Sequence, residues 1–328
     1  MTSPSNPFPP AAELNICFAH AAYQMETTFA RRDSGIAHMQ TWNLEDTLKK
    51  LPESDVLVIS GMWEDTLLEA ASRLLFIQSI GAGYDQFPLD ELRRRNIRLA
   101  SARGVNRNAV SDHTFALILA LFRHLHLGRD RQRQKVWRPM ISDVPAREDE
   151  LAGKTLGIVG MGHIGSRVAR LGKAFEMRVV ATKRDTANYE GPADEVLPTD
   201  QLPDLLAQAD VVVLNCPLTP ETQGLIDRKA LETMKPSALL INVARGACVD
   251  EDALIEALRN NTIAGAGLDT FVGEVPAEDS PFWELENVVV TPHSAGETQA
   301  YESNVIDILL ENIARLERGE QELMNQIV

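Results

Sequence analysis

Near the middle of this chain of 328 residues, a glycine-rich turn, Gly160-Met161-Gly162-His163-Ile164-Gly165, separates a short apolar run from a segment with helical apolar spacing. The run before it, Thr155-Leu156-Gly157-Ile158-Val159, is short, branched and apolar on both faces, as a buried parallel strand must be. After the turn, Ile164, Val168, Leu171 and Phe175 recur at the spacing of one helix face. Strand, turn and helix in that order predict a dinucleotide site. The first glycine permits the tight turn, the second lets a pyrophosphate approach the backbone, and the third lets helix and strand pack closely. The phosphates would sit on the free N–H groups at the positive end of the helix. An ordinary βα turn that uses glycines for geometry is the alternative.

Length and charge narrow the classes. A chain of this size exceeds one hydrophobic core and predicts two domains. A formal charge of −15 argues against nucleic acid or an anionic membrane as partner, while a small anionic substrate needs only local positive charge. Cys17, Cys216 and Cys248 lie far apart without a CxxC, so neither a disulfide framework nor a zinc site is expected. No His, Cys or acid cluster has metal-ligand spacing. Residues 1–10 are polar and proline-rich without a basic-then-apolar leader, and the longest apolar run, 115–122, is too short to span a bilayer. A cytoplasmic setting is the expectation.

Strand-like runs at 14–18, 56–60, 76–80 and 97–100 precede the glycine turn, with a helical stretch at 64–72. Others follow at 178–181, 211–214, 238–243, 263–268 and 288–291, with a helix at 250–260 that Asp250 would cap. Alternating strands and helices predict an α/β chain of two Rossmann-like, doubly wound parallel sheets. A long apolar helix at 106–129 and a terminal helix at 298–317 read as connections between domains. The dinucleotide-binding domain, 103–296, would then be inserted in a discontinuous, flavodoxin-like substrate domain made of 1–102 and 297–328. The ligand is expected in the cleft at the carboxyl ends of the strands.

Three segments at the expected strand ends carry chemistry. In Ile241-Asn242-Val243-Ala244-Arg245-Gly246 a strand runs into an arginine, whose planar fork suits a carboxylate and its neighbouring carbonyl. A surface arginine paired with Asp250 or Glu251 is the bland alternative. Gly265-Ala266-Gly267-Leu268-Asp269-Thr270-Phe271 leads to Glu274, and Val289-Val290-Thr291-Pro292-His293-Ser294-Ala295-Gly296 places a histidine just past a strand. Glu274 could hold that imidazole in its charged form, making His293 a proton donor in carbonyl reduction and an acceptor in alcohol oxidation. His124 and His126, two apart on one helix, would face different directions and form no metal pair.

The order of glycine turn, Asn-Val-Ala-Arg-Gly, Gly-Leu-Asp-x-Phe-x-x-Glu-x-Pro and Thr-Pro-His-x-Ala-Gly closely resembles the D-isomer-specific 2-hydroxyacid dehydrogenases. The resemblance implies that Arg245 binds the substrate carboxylate, that His293 is the acid/base and that Glu274 pairs with it. It implies that Asp269 holds the nicotinamide carboxamide. Cys216, Pro217, Thr222, Val243, Ala244 and Gly296 would line the cofactor with Gly160, Gly162, His163, Ile164 and Gly165. Ser79-Ile80-Gly81-Ala82-Gly83-Tyr84-Asp85 resembles the family's substrate loop, with the N–H groups of Ala82 and Gly83 on the carboxylate. A homodimer is implied too; Trp137 resembles an aromatic that in some members reaches a neighbour's active site, with a plain core or interface tryptophan as the favoured reading. Departures are Asp112 for a usual Glu, Asn215 for a frequent His and Glu176 for a usual Gly.

NAD enzymes place Asp or Glu at the end of the second strand to bind the ribose hydroxyls. Here Lys183 and Arg184 follow Val179-Val180-Ala181-Thr182. Two cations attract a 2′-phosphate, so NADP(H) is favoured and NAD(H) remains possible. The reading is hydride transfer between NADP(H) or NAD(H) and a small 2-oxo acid or D-2-hydroxy acid, similar to glyoxylate/hydroxypyruvate reductases. The alternatives are a phosphoglycerate or phosphite-type dehydrogenase of the same fold and a dinucleotide-sensing, corepressor-like binding protein. With only a short stretch after the terminal helix, a further regulatory domain is not expected.

Overall fold

The computed structural model describes residues 8–187 and 189–328, and the chain folds as two compact units. The first takes in the chain up to Asn106 together with Thr298–Val328; the second is Arg107–Glu297.

The first unit is a parallel sheet of β1 (Asn15–Ala19), β2 (Ala37–Thr41), β3 (Val56–Ile59), β4 (Phe76–Ser79) and β5 (Arg98–Ala100), in the order β2-β1-β3-β4-β5. Successive side chains of β1 enter opposite cores, as the two-residue period of a strand requires. Ile16 and Phe18 pack with Phe76, Val305 and Leu309, while Cys17 and Ala19 pack with Leu57, Ile77 and Leu99. The first of these cores needs the helix Tyr301–Glu317, which explains why the unit is discontinuous. The C-terminal tail is pinned beside β5, with the Ile327 N–H donating to the Leu99 carbonyl at 2.8 Å and the Ser101 N–H to the Asn325 carbonyl at 3.0 Å.

The second unit is a seven-stranded parallel sheet: β6 (Thr155–Val159), β7 (Arg178–Thr182), β8 (Glu195–Leu197), β9 (Val211–Leu214), β10 (Leu239–Asn242), β11 (Gly265–Leu268) and β12 (Val288–Val290). Its order is β12-β11-β10-β9-β6-β7-β8. Strand order therefore reverses between the neighbours β6 and β9, the point at which open α/β sheets bind ligands beyond their carboxyl ends.

Several local expectations change. The strands β2 and β8 have no counterpart in the sequence reading: both lie at sheet edges, and their half-exposed residues lack a continuous apolar run. The long helix at 106–129 is two helices, Arg107–Phe122 and Leu125–Gln134. His124 between them has a left-handed φ of 49°, so it does not lie on a helix with His126 as expected. The break falls where burial ends: the first helix buries Val110, Leu117, Ile118 and Leu121, the second buries nothing. The stretch at 64–72 is helical only over Leu67–Ala70, and Phe175 sits just past the helix His163–Ala174, stacked on Phe115 at 5.2 Å. Asp250 does cap the helix Glu251–Arg259, accepting the Ala253 N–H at 3.0 Å.

Candidate active site

The motif residues of the second unit gather at the carboxyl ends of its strands. At the end of β6, Gly160 has φ of 100°, and a Cβ there would lie 2.9 Å from the backbone of Asn215 and Cys216 at the end of β9. A Cβ on Gly165 would stand 2.2 Å from the Gly160 carbonyl oxygen. Both positions therefore admit only glycine. Gly162, the residue preceding the helix His163–Ala174, has open space where a Cβ would point. The Ser166 N–H bonds back to the Gly162 carbonyl at 2.9 Å, leaving the N–H groups of His163, Ile164 and Gly165 ahead of the helical ladder. These are the donors and the clearance that a phosphate requires.

Asn215 supplies an independent indication. Both polar atoms of its side-chain amide are buried without a hydrogen-bond partner among the described residues. An unpaired buried amide is costly, and a polar ligand at this edge would relieve it. The residues present thus fit a bound dinucleotide. Cys216 and Ala244 are buried, Val243 and Gly296 half-buried, and Pro217 exposed. The neighbouring Cys248 thiol, and then burial, push the Cys216 thiol far above its ordinary range. Thr222 closes the loop after Cys216: its hydroxyl donates to the Pro217 carbonyl at 2.7 Å and accepts the Thr219 N–H at 2.7 Å. Lys183 and Arg184 follow the last residue of β7, and the Lys183 ammonium lies 5.7 Å from the Tyr189 ring centre.

Arg245 is exposed, and among the described residues its guanidinium makes one hydrogen bond, to the Ala244 carbonyl at 2.7 Å. It forms no ion pair among the described residues. The alternative of pairing with Asp250 or Glu251 does not arise, because Asp250 caps its helix and Glu251 accepts the Val272 N–H at 2.7 Å. The turn carrying Arg245 is fixed from below by buried Asn242, whose amide donates to the Arg245 carbonyl at 2.9 Å and accepts the Ala244 N–H at 3.1 Å. Gly246 is obligatory there, since a Cβ would fall 2.0 Å from the Phe271 carbonyl carbon. Close backbone contact thus ties the arginine turn to the loop that carries Glu274.

His293 Nδ1 lies 2.6 Å from Glu274 Oε2. Glu274 and His293 both have left-handed φ, at 71° and 53°, a conformation uncommon for non-glycine residues. Asp269, 1% exposed, anchors the loop that follows β12. Its Oδ1 accepts the Thr291 hydroxyl at 2.6 Å and the Ser294 N–H at 3.0 Å, and its Oδ2 accepts the Ala295 N–H at 3.0 Å. These bonds leave Oδ2 with acceptor capacity.

In the first unit, Ala82 and Gly83 lie in the loop after β4, where the Ser79 hydroxyl reaches the carbonyls of Gly81 at 3.1 Å and Gly83 at 3.4 Å. The N–H groups of Ala82 and Gly83 have no acceptor among the described residues. The sequence reading assigned no role to Asn242 or His113. Asn242 was legible only as a polar residue closing an apolar strand, and His113, on a helix far along the chain, gave no signal. Among the described residues no group of His, Cys or acids could hold a metal, and no helix is long and apolar enough to cross a membrane.

Residues 115–295 match the family described as D-isomer specific 2-hydroxyacid dehydrogenase, NAD binding domain. The glyoxylate reductase of Pyrococcus furiosus is 38% identical over 283 residues, 84% of this chain and 83% of the relative. An acyclic imino acid reductase solved with NADPH and D-Arg superposes with a TM-score of 0.82 at 26% identity, covering 96% of this chain and 100% of the other. The D-lactate dehydrogenase of Aquifex aeolicus, solved with NAD and lactic acid, gives a TM-score of 0.77 at 28% identity, covering 93% of this chain and 96% of the other.

Proposed function

Because this chain belongs to the D-isomer specific 2-hydroxyacid dehydrogenases, nicotinamide-dependent oxidoreductases, we propose that it reduces a small 2-oxo acid to the D-2-hydroxy acid. Glyoxylate and hydroxypyruvate are the substrates this reading favours, with NADPH over NADH. The observation that carries it is the His293–Glu274 pair at 2.6 Å in a sheet whose strand ends also present an arginine without an acidic partner.

When bound, the dinucleotide supplies the hydride from its nicotinamide ring. Residues 160–165, Cys216, Pro217, Thr222, Val243, Ala244 and Gly296 would hold it, with Lys183 and Arg184 for a 2′-phosphate. Asp269 Oδ2 would take the carboxamide. The second unit is thus the dinucleotide-binding domain and the first the substrate domain. Arg245, whose fork matches a carboxylate, binds the acid end of the substrate. In the first unit, the N–H groups of Ala82 and Gly83 are donors of the kind a carboxylate takes. Glu274 is an acceptor only, so Nδ1 of His293 carries a proton and Nε2 is left for chemistry. From the imidazolium, Nε2 gives its proton to the oxygen as the alkoxide forms, neutralising charge where it develops.

A homodimer is part of the proposal. The segment from Leu125 to Val144 exposes the apolar side chains of Leu125, Val136, Trp137, Met140 and Val144, with Trp137 and Met140 each 96% exposed. A second copy of the chain would cover it, with Trp137 at the contact. The three unpaired cysteines agree with a cytoplasmic setting.

Steady-state kinetics with glyoxylate and hydroxypyruvate against both dinucleotides test the reading. NADPH is expected to give the higher kcat/KM. Replacing Lys183 and Arg184 together by Ala should lower the NADPH value by about 10- to 100-fold and leave the NADH value nearly unchanged. Preference for NADH in the wild type would overturn the NADP assignment, and absence of turnover with either would overturn the reaction.

A further inference from the structure

Asp269 and Thr291 do not stand alone. His113, in the second turn of the helix Arg107–Phe122, places Nε2 2.9 Å from Thr291 Oγ1 and 3.5 Å from Asp269 Oδ1. The hydrogens are fixed by elimination. Thr291 Oγ1 lies 2.6 Å from a carboxylate that can only accept, so the hydroxyl proton points to Asp269. The hydroxyl oxygen is then an acceptor toward His113, whose Nε2 must carry a proton. Donors and acceptors run in one direction, from His113 to Thr291 to Asp269. The carboxylate in turn receives the N–H groups of Ser294 and Ala295. His293, at φ of 53°, lies between the two ends of this cage.

We propose that His113 is a positioning residue for His293. It touches no reacting atom in this reading. Its N–H orients the Thr291 hydroxyl, which saturates Asp269 Oδ1 and holds the 291–295 turn in the strained form that presents Nδ1 to Glu274. Within the loop the His293 N–H donates to the Thr291 carbonyl at 3.0 Å. The buried Asp269 carboxylate adds bonds on both sides of that residue, and His113 is the donor that completes the set. The proposal rests on His293 as the acid/base of the reaction above.

His113→Leu removes the donor and keeps a comparable apolar volume; His113→Gln restores an N–H near the position of Nε2. Two readouts are needed, one independent of turnover. In the first, kcat of the Leu variant should fall about tenfold or more while the dissociation constant of NADPH and the melting temperature stay near wild type, and the Gln variant should recover most of it. In the second, 15N-histidine NMR of the neutral protein should show His293 with its proton on Nδ1 in the wild type and in the Gln variant. The Leu variant should shift toward the Nε2-protonated tautomer of a free histidine. Thr291→Val breaks the same relay from its other end and should reproduce both effects; it also serves if the Leu variant fails to fold. Wild-type kcat and tautomer in the Leu and Val variants would overturn the proposal, as would a Gln variant as impaired as the Leu variant. If the wild type reduces no 2-oxo acid, the reaction reading falls, and the tautomer alone decides whether His113 positions His293.

Discussion

His293 and Glu274 meet at 2.6 Å from two separate loops, each residue holding a left-handed backbone conformation. In this pair 43% of the His293 side chain and 70% of the Glu274 side chain are exposed, and both backbones are left-handed. An exposed ion pair contributes little to stability, and two left-handed non-glycine backbones meeting at one pair motivate the proposed acid/base role. His293→Gln should cut kcat by about 100- to 10,000-fold with NADPH affinity retained. Glu274→Gln, which keeps an oxygen acceptor for Nδ1 but loses the charge, should cost less. Comparable turnover in wild type and His293→Gln would sink the acid/base assignment.

Arg245 should act through its shape as well as its charge. Lysine keeps the charge but cannot present two parallel donors to a carboxylate. Arg245→Lys is therefore expected to raise KM for glyoxylate by about 10- to 100-fold while leaving NADPH affinity in place. A KM unchanged within twofold would show that another group carries the carboxylate.

Gly246 couples two site loops through backbone contact. A Cβ there would lie 2.0 Å from the Phe271 carbonyl carbon and 2.4 Å from the Val272 nitrogen, neither of which is a flexible side-chain end. Gly246→Ala should lower stability by about 1–3 kcal/mol, seen as a melting temperature several degrees lower, and should reduce kcat by shifting Arg245 and the Glu274 loop together. Unchanged stability and activity would mean that the 271–272 backbone moves aside without cost.

His20 gives the first unit a pH dependence. Burial holds its pKa below the ordinary value of 6.5, opposed by Glu302. Its Nδ1 also accepts the N–H groups of Ala22 at 3.0 Å and Tyr23 at 2.8 Å, bonds that a protonated nitrogen cannot accept. As pH falls below 6.5 the unfolded chain takes up the proton before the folded one, so this contribution is present above that value and is lost toward the lower folded pKa. Melting temperatures between pH 7.5 and about 5 should fall more steeply for wild type than for His20→Asn, whose oxygen can still accept both N–H groups. Parallel curves would remove His20 as the cause.

Sequence by itself determined the parts of this protein that depend on neighbours along the chain. Buried parallel strands must be apolar on both faces, so most strands and both sheets were legible as runs of apolar residues. Glycines whose Cβ would strike backbone marked the turn at 160–165, and motif spacing picked out Arg245, Glu274 and His293 before any contact was seen. What it left out is what depends on position in three dimensions. The edge strands β2 and β8 lack an apolar run because half of each faces water, and the helix break at His124 is set by where burial stops. Tertiary structure alone also decided how the site is held. Asn242 under Arg245 and His113 behind Thr291 and Asp269 are ordinary polar residues in sequence, and their roles come from hydrogen bonds that must be satisfied once their partners are buried. The glycine turn pointed to a dinucleotide; those buried donors and acceptors hold the loop on which the proposed acid/base chemistry depends.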